Sequence, residues 1–136
     1  LTYISPEQVH GVAEARSDLF AVGVMLWEAV AGRRLWHDRS EAEIISALVQ
    51  ATVPPLAQAA PAADPALVAA ADCALACALD QRYPSARAMR VDLEAWLARQ
   101  PDALAQQPDP ARLQLPTQRL KARELRVVIQ ARPGHR

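Results

Sequence analysis

Arg16-Ser17-Asp18-Leu19-Phe20-Ala21-Val22-Gly23-Val24-Met25-Leu26-Trp27-Glu28 decides the fold. Ser17 has the side chain of a helix N-cap, and Asp18 would follow in the first turn, where the positive end of the helix dipole favours an acid. Gly32 supplies the left-handed residue at which such a helix stops. Between these ends Leu19, Phe20, Val22, Val24, Met25, Leu26, Trp27 and Val30 leave no polar face, the pattern of a helix buried on most sides. The unbroken apolar run ends at Glu28, short of the roughly 20 residues that cross a bilayer. A central helix of a globular domain is expected.

Upstream, Tyr3-Ile4-Ser5-Pro6-Glu7-Gln8 carries a second start signal. Ser5 is the cap, Pro6 suits the first helical position because its missing N–H would be unpaired there anyway, and Gln8 completes a capping box. Downstream, Ser40 with Glu43 repeats the box ahead of Ile44, Ile45, Leu48 and Val49, until Val53-Pro54-Pro55 forbids continuation. Asp64-Pro65 opens a helix carrying Leu67, Val68, Ala71, Leu75 and Leu79, and Ser85 opens one whose Met89, Leu93, Trp96 and Leu97 share a face. The expectation is a mainly α domain, about five helices around residues 17 to 31, ending near Gln100. At 136 residues and 51% hydrophobic, the chain has enough apolar material for one core.

Three of these pieces, in this order, resemble one family. Ser5-Pro6-Glu7-Gln8 stands where protein kinases carry the A-P-E-type motif that closes the activation segment, in a form similar to bacterial, eukaryotic-like Ser/Thr protein kinases. The Arg-Ser-Asp opening of the long apolar helix with Gly23 inside it, and Arg82-Tyr83-Pro84-Ser85-Ala86-Arg87 before the last amphipathic helix, follow in register. The resemblance implies the C-terminal half of the C-lobe only, from the S-P-E motif onward, over residues 1–100. It further implies a structural ion pair between Glu7 and Arg82, a brace for the catalytic loop at Asp18, and a substrate-pocket border at Tyr3 and Ser5. Two departures from the family pattern stand out: Ala78-Leu79-Asp80-Gln81 ahead of Arg82 is shorter than the usual Asp-Pro-x-x-Arg phrase, and Trp36 replaces the usual phenylalanine.

Kinase chemistry needs a Gly-rich loop, a lysine on the phosphates, an Asp for the hydroxyl proton, and an Asn and an Asp for magnesium. Here the four glycines are scattered at 11, 23, 32 and 134, the one lysine is Lys121, there is no Asp-Phe-Gly, and the chain contains no asparagine. His37-Asp38-Arg39 has the letters of the catalytic triplet in the wrong order and after the S-P-E, so it is read as a polar loop. No catalytic, cofactor-binding or metal residue is therefore expected in this chain; ATP and magnesium would belong to a full-length parent that phosphorylates Ser/Thr of proteins. A start at Leu1 instead of methionine agrees with a fragment. The alternative is a non-catalytic helical interaction module, a kinase remnant that binds a protein partner. The implied partners are the parent's protein substrates and, within the parent, the N-lobe and catalytic loop.

Net charge is zero but unevenly placed. Residues 1–110 hold eight arginines against fourteen acids, and residues 111–136 hold six arginines and Lys121 against Glu124 alone. The Pro-rich stretch 101–116 reads as a linker, and 117–136 as a basic tail. A solvated or juxtamembrane-like extension is the preferred reading of that tail, with weak binding to anionic surfaces and no specific nucleic acid. Cys73 and Cys77, one helical turn apart, are read as buried core thiols because His10, His37 and His135 show no ligand spacing with them. With no secretory signal ahead of the domain, a cytoplasmic setting is the expectation, although the parent could be membrane-anchored.

Overall fold

The computed structural model describes residues 1–100; the expected linker and basic tail lie outside them. Helix α1 (Pro6–Val9) starts as its letters require, with Ser5 N–H and Oγ both donating to Gln8 Oε1 at 3.0 Å. Helix α2 (Ala15–Ala31) begins three residues before the expected start, with Glu14 and not Ser17 at the N-cap. Ser17 is thus inside the first turn, where its Oγ accepts the Glu14 N–H at 3.2 Å. Gly32 ends α2 at φ 67°, its N–H returning to the Glu28 carbonyl at 2.9 Å.

Helix α3 (Glu41–Val49) has the reciprocal Ser40/Glu43 cap. The next helix, α4 (Leu56–Ala59), has no counterpart in the sequence expectation; it is one turn long and has no side-chain cap to announce it. Its anchor is non-local, since Leu56 is fully buried and its N–H donates to Asp72 Oδ1 at 3.3 Å. Helix α5 (Pro65–Ala74) is capped by Asp64, which accepts the Ala66 N–H at 2.8 Å. It stops well before Leu79. In the loop beyond its end two carbonyls are taken by side chains: Ala76 O accepts from Arg82 Nε at 3.0 Å and Leu79 O from Arg16 Nη1 at 2.7 Å. Cys77 consequently lies beyond the helix that carries Cys73, and both thiols are half-buried instead of fully enclosed. Helix α6 (Ala86–Leu97) starts at Ser85, whose Oγ accepts the Ala88 N–H at 3.2 Å.

The described residues are therefore mainly α, six helices with no strand, one more helix than the letters suggested. Phe20, Val24 and Trp27 of α2 have no exposed surface and form the core with Leu35, Trp36, Ile44, Leu48, Leu56, Ala71 and Leu75. The Trp27 indole N–H is satisfied by the Pro54 carbonyl at 3.0 Å, which ties the proline loop to the central helix. Burial of α2 is not all-round: Val22 is 37% and Met25 51% exposed, so one apolar flank of the helix has no partner among the described residues.

Where α2 and α5 cross, Gly23 permits the approach. A Cβ there would lie 2.8 Å from Ala74 Cβ and 3.2 Å from the Ala74 carbonyl carbon. Gly23→Ala should therefore destabilise the bundle by about 1–3 kcal/mol, the cost of overpacking, against the gain of about 1 kcal/mol that alanine brings to an open helix. Ala74→Gly in the same chain should return part of the loss. Urea melts check this, and a Gly23→Ala chain more stable than the parent would show that the two helices stand further apart.

Candidate functional site

The densest polar cluster lies where α1, the first turn of α2 and the loop after α5 meet. Glu7 is the second residue of α1, Ser17 projects from α2, and Arg82 arrives from the loop that follows α5. Arg82 Nη1 is 2.8 Å from Glu7 Oε1 and Nη2 is 3.1 Å from Oε2, a bidentate pair across seventy-five positions of sequence. Nη1 also donates to the Arg16 carbonyl at 2.9 Å, and Ser17 Oγ donates to Glu7 Oε1 at 2.7 Å. The guanidinium carbon lies 5.1 Å from the centre of the Phe20 ring. Water scarcely reaches the pair, with Arg82 0% and Glu7 10% exposed at the side chain.

Burial alone would raise the Glu7 pKa, and it is the largest single influence on it. The hydrogen bonds from Arg82, then Ser17 and the backbone, together outweigh that effect and hold the carboxyl at about 2, below its ordinary 4.5. The site thus fixes a charge; it does not offer a proton near neutral pH.

The remaining residues singled out by sequence are distributed differently. Ser5 is fully enclosed and its hydroxyl is committed to Gln8, while Tyr3, 38% exposed, lines a separate surface cavity of about 350 Å³ with Glu28 and Arg34. Asp18 points to solvent from the first turn of α2, outside the hydrogen-bond network of Glu7, Ser17 and Arg82. His37 and Asp38 form an exposed turn, Nε2 to Oδ2 3.2 Å, with Asp38 at φ 59°. Two participants are not visible in the letters: Ser17, whose type suggests only a cap, and Arg16, whose carbonyl and guanidinium both serve the 76–82 loop. No local pattern announces either. Burial pushes both thiols up, so Cys73 and Cys77 are poor nucleophiles, and among the described residues no three His, Cys, Asp or Glu side chains gather as a metal site. None of the described helices is long and apolar enough to cross a membrane.

Removing either partner of an enclosed pair leaves the other charge uncompensated, so Glu7→Ala and Arg82→Ala should each cost on the order of 3–5 kcal/mol. The double variant should cost much less than their sum. Effects that are additive and under about 1 kcal/mol each, the scale of an exposed pair, would show that the two do not meet in solution. Because the folded carboxyl has the lower pKa, the unfolded chain takes up the proton first on acidification. The contribution of Glu7 should be complete above pH 4.5 and vanish as pH falls toward 2. Glu7→Gln should lack that acid limb when denaturant melts are compared across pH.

No family model matches the chain. Over 93 residues, 65% of this chain and 16% of the relative, it is 43% identical to serine/threonine-protein kinase PksC of Streptomyces coelicolor. It is 36% identical over 94 residues to serine/threonine-protein kinase PknL of Mycobacterium tuberculosis, covering 68% of this chain and 24% of that protein. Tyrosine-protein kinase MasK of Myxococcus xanthus matches at 33% over 97 residues, 71% of this chain and 15% of MasK. The chain spans a quarter or less of the length of these curated relatives, and over about 70% of its own length it is similar to a segment of bacterial protein kinases.

Proposed function

We propose that residues 1–100 form the lower C-lobe of a bacterial Ser/Thr protein kinase, from the S-P-E motif onward, and that the full-length parent moves the ATP γ-phosphate to Ser or Thr of proteins. The observation that carries this reading is the run of relatives named as kinases across most of the chain. The Glu7–Arg82 clamp supports it, since it links the S-P-E helix to the loop before α6, two of the three places where the kinase-like wording occurs. In this reading the clamp ties the end of the activation segment to the lobe's floor, Asp18 waits to brace the catalytic loop, and Tyr3 and Ser5 border the pocket for the substrate residue after the phosphoacceptor.

In this reading the magnesium nucleotide sits outside the described residues. Both Glu7 oxygens are already used by Arg82, and no three metal-ligating side chains gather elsewhere among them. ATP and magnesium are accordingly assigned to the parent's other residues, and the contribution of this part is rigid positioning, the chief demand of phosphoryl transfer. The basic residues 111–136 are assigned at most a salt-screened attraction to anionic surfaces.

The test is a segment exchange. Replacing the matching segment of PknL by its counterpart here should leave a protein that phosphorylates a generic protein substrate, and Glu7→Ala within that chimera should reduce the rate. A folded chimera that binds Mg-ATP and transfers nothing would sink the reading. The chain by itself should give no binding heat with Mg-ATP; a stoichiometric micromolar site would be equally fatal.

A further inference from the structure

The proline loop after α3 and the loop after α5 border a cavity of about 350 Å³. Val53, Pro54, Pro55 and Leu75 line it with aliphatic surface, and Asp72, Cys77 and Gln81 bring its polar side chains. Asp72 is the one charged residue of that lining. Its Oδ1 accepts the Leu56 N–H at 3.3 Å, a neutral donor, while Oδ2 makes no hydrogen bond and no cation pairs with the carboxylate among the described residues. Burial pushes the Cys77 thiol up, so it brings no charge of its own. Arg82, whose field reaches Cys77, is fully enclosed and already paired with Glu7.

This balance of charge differs from that of the neighbouring cavities. Asp92 shares its cavity with Arg99, and Glu94 shares its groove with Arg90. The backbone beside Asp72 adds to the difference. Pro54 and Pro55 have no N–H, and the N–H groups of Ala51, Leu75, Ala76 and Gln81 are donated to carbonyls of the chain itself. An anion entering here would meet an unpaired carboxylate and few donors. An ammonium or guanidinium would meet the free Asp72 oxygen, with aliphatic surface for its stem.

We propose that this cavity binds a protonated amine or guanidinium carried on an aliphatic stem, and that Asp72 is the residue that selects it. Nothing at the site depends on the kinase reading, and its test needs no phosphotransfer. The Trp27 indole N–H donates to the Pro54 carbonyl at 3.0 Å, so its signal reports on the cavity wall. Of the three tryptophans in the chain, Trp36→Phe and Trp96→Phe remove the other two indole signals and so identify it. Two short peptides, identical except for a central Lys or Glu, and n-butylamine are titrated into the full chain.

The Lys peptide should move the Trp27 signal and, read there, bind about fivefold more tightly than its Glu twin, as an open charge pair near the top of its range allows. Asp72→Asn keeps an oxygen for the Leu56 N–H and removes the charge, so it should abolish the preference. Ala78→Asp, at an exposed position of the same lining, should strengthen it. Reading at Trp27 separates the cavity from the arginine-rich residues 111–136, which attract the Glu peptide themselves. Equal binding of the twins, binding of neither, or a preference unchanged in Asp72→Asn overturns the proposal. If Asp72→Asn does not fold, Ala78→Asp decides alone, and no gain there overturns it as well. A Lys peptide that binds more tightly than n-butylamine assigns the cation to a partner's side chain. Equal binding of the two assigns it to a free amine, and both results keep the site.

Discussion

A guanidinium without access to water must have its N–H groups met by protein, and at Arg82 that requirement organises the fold. Four of its donor contacts are made inside the molecule: two to Glu7, one to the Arg16 carbonyl and one to the Ala76 carbonyl. These acceptors come from three different stretches of chain. The N-terminal turn, the start of the central helix and the loop after α5 are therefore positioned against a single side chain, and the Phe20 ring closes the remaining side. Because a buried pair only roughly balances its desolvation cost, the cluster's contribution is to specify which arrangement is adopted, while net stabilisation comes from the apolar core around Phe20, Val24 and Trp27.

That division of labour explains the shape of the 75–82 loop. The Ala76 and Leu79 carbonyls lie beyond the end of α5, where no helical ladder takes them, and they accept from Arg82 Nε and Arg16 Nη1. Although α5 ends at Ala74, Leu75 still reaches the core from the C-cap position. Tight contact at Gly23 and Ala74 holds the two helices close enough for that loop to fall beside α1. Tyr83 is buried next in line and donates to Asp92 on α6 at 2.7 Å, so the last helix is attached through the same stretch.

The letters carry the features whose cause is local. Ser5 with Gln8, Ser40 with Glu43, Asp64, Ser85 and Gly32 each mark a helix end because cap chemistry involves residues a few positions apart. What they do not carry has a distant cause. Glu14 starts α2 while Ser17 serves Glu7; α4 exists because Leu56 has a place in the core and a partner in Asp72; and past the end of α5 the Ala76 and Leu79 carbonyls serve Arg82 and Arg16. Likewise an apolar run with no polar face says nothing of the open flank at Val22 and Met25, since periodicity records composition and not which neighbours are present. The pairing of residues 7 and 82 enters through family resemblance, and Asp72 draws no attention because an aspartate inside a helix carries no pattern.

Sequence separation also sets an order of events during synthesis. Glu7 leaves the ribosome seventy-five residues ahead of Arg82, an interval of about 4–15 s at ordinary elongation rates of 5–20 residues per second. Through that interval the α1 turn has its cap but not its clamp, and its carboxylate titrates as an ordinary glutamate in water. The central helix is complete far sooner, so the N-terminal turn is made first and fixed last. A nascent chain halted after α2 has emerged but before residue 82 would present that helix with its apolar faces formed and the turn ahead of it still unfastened, a state in which a chaperone has a longer time to act than the helix itself takes to form.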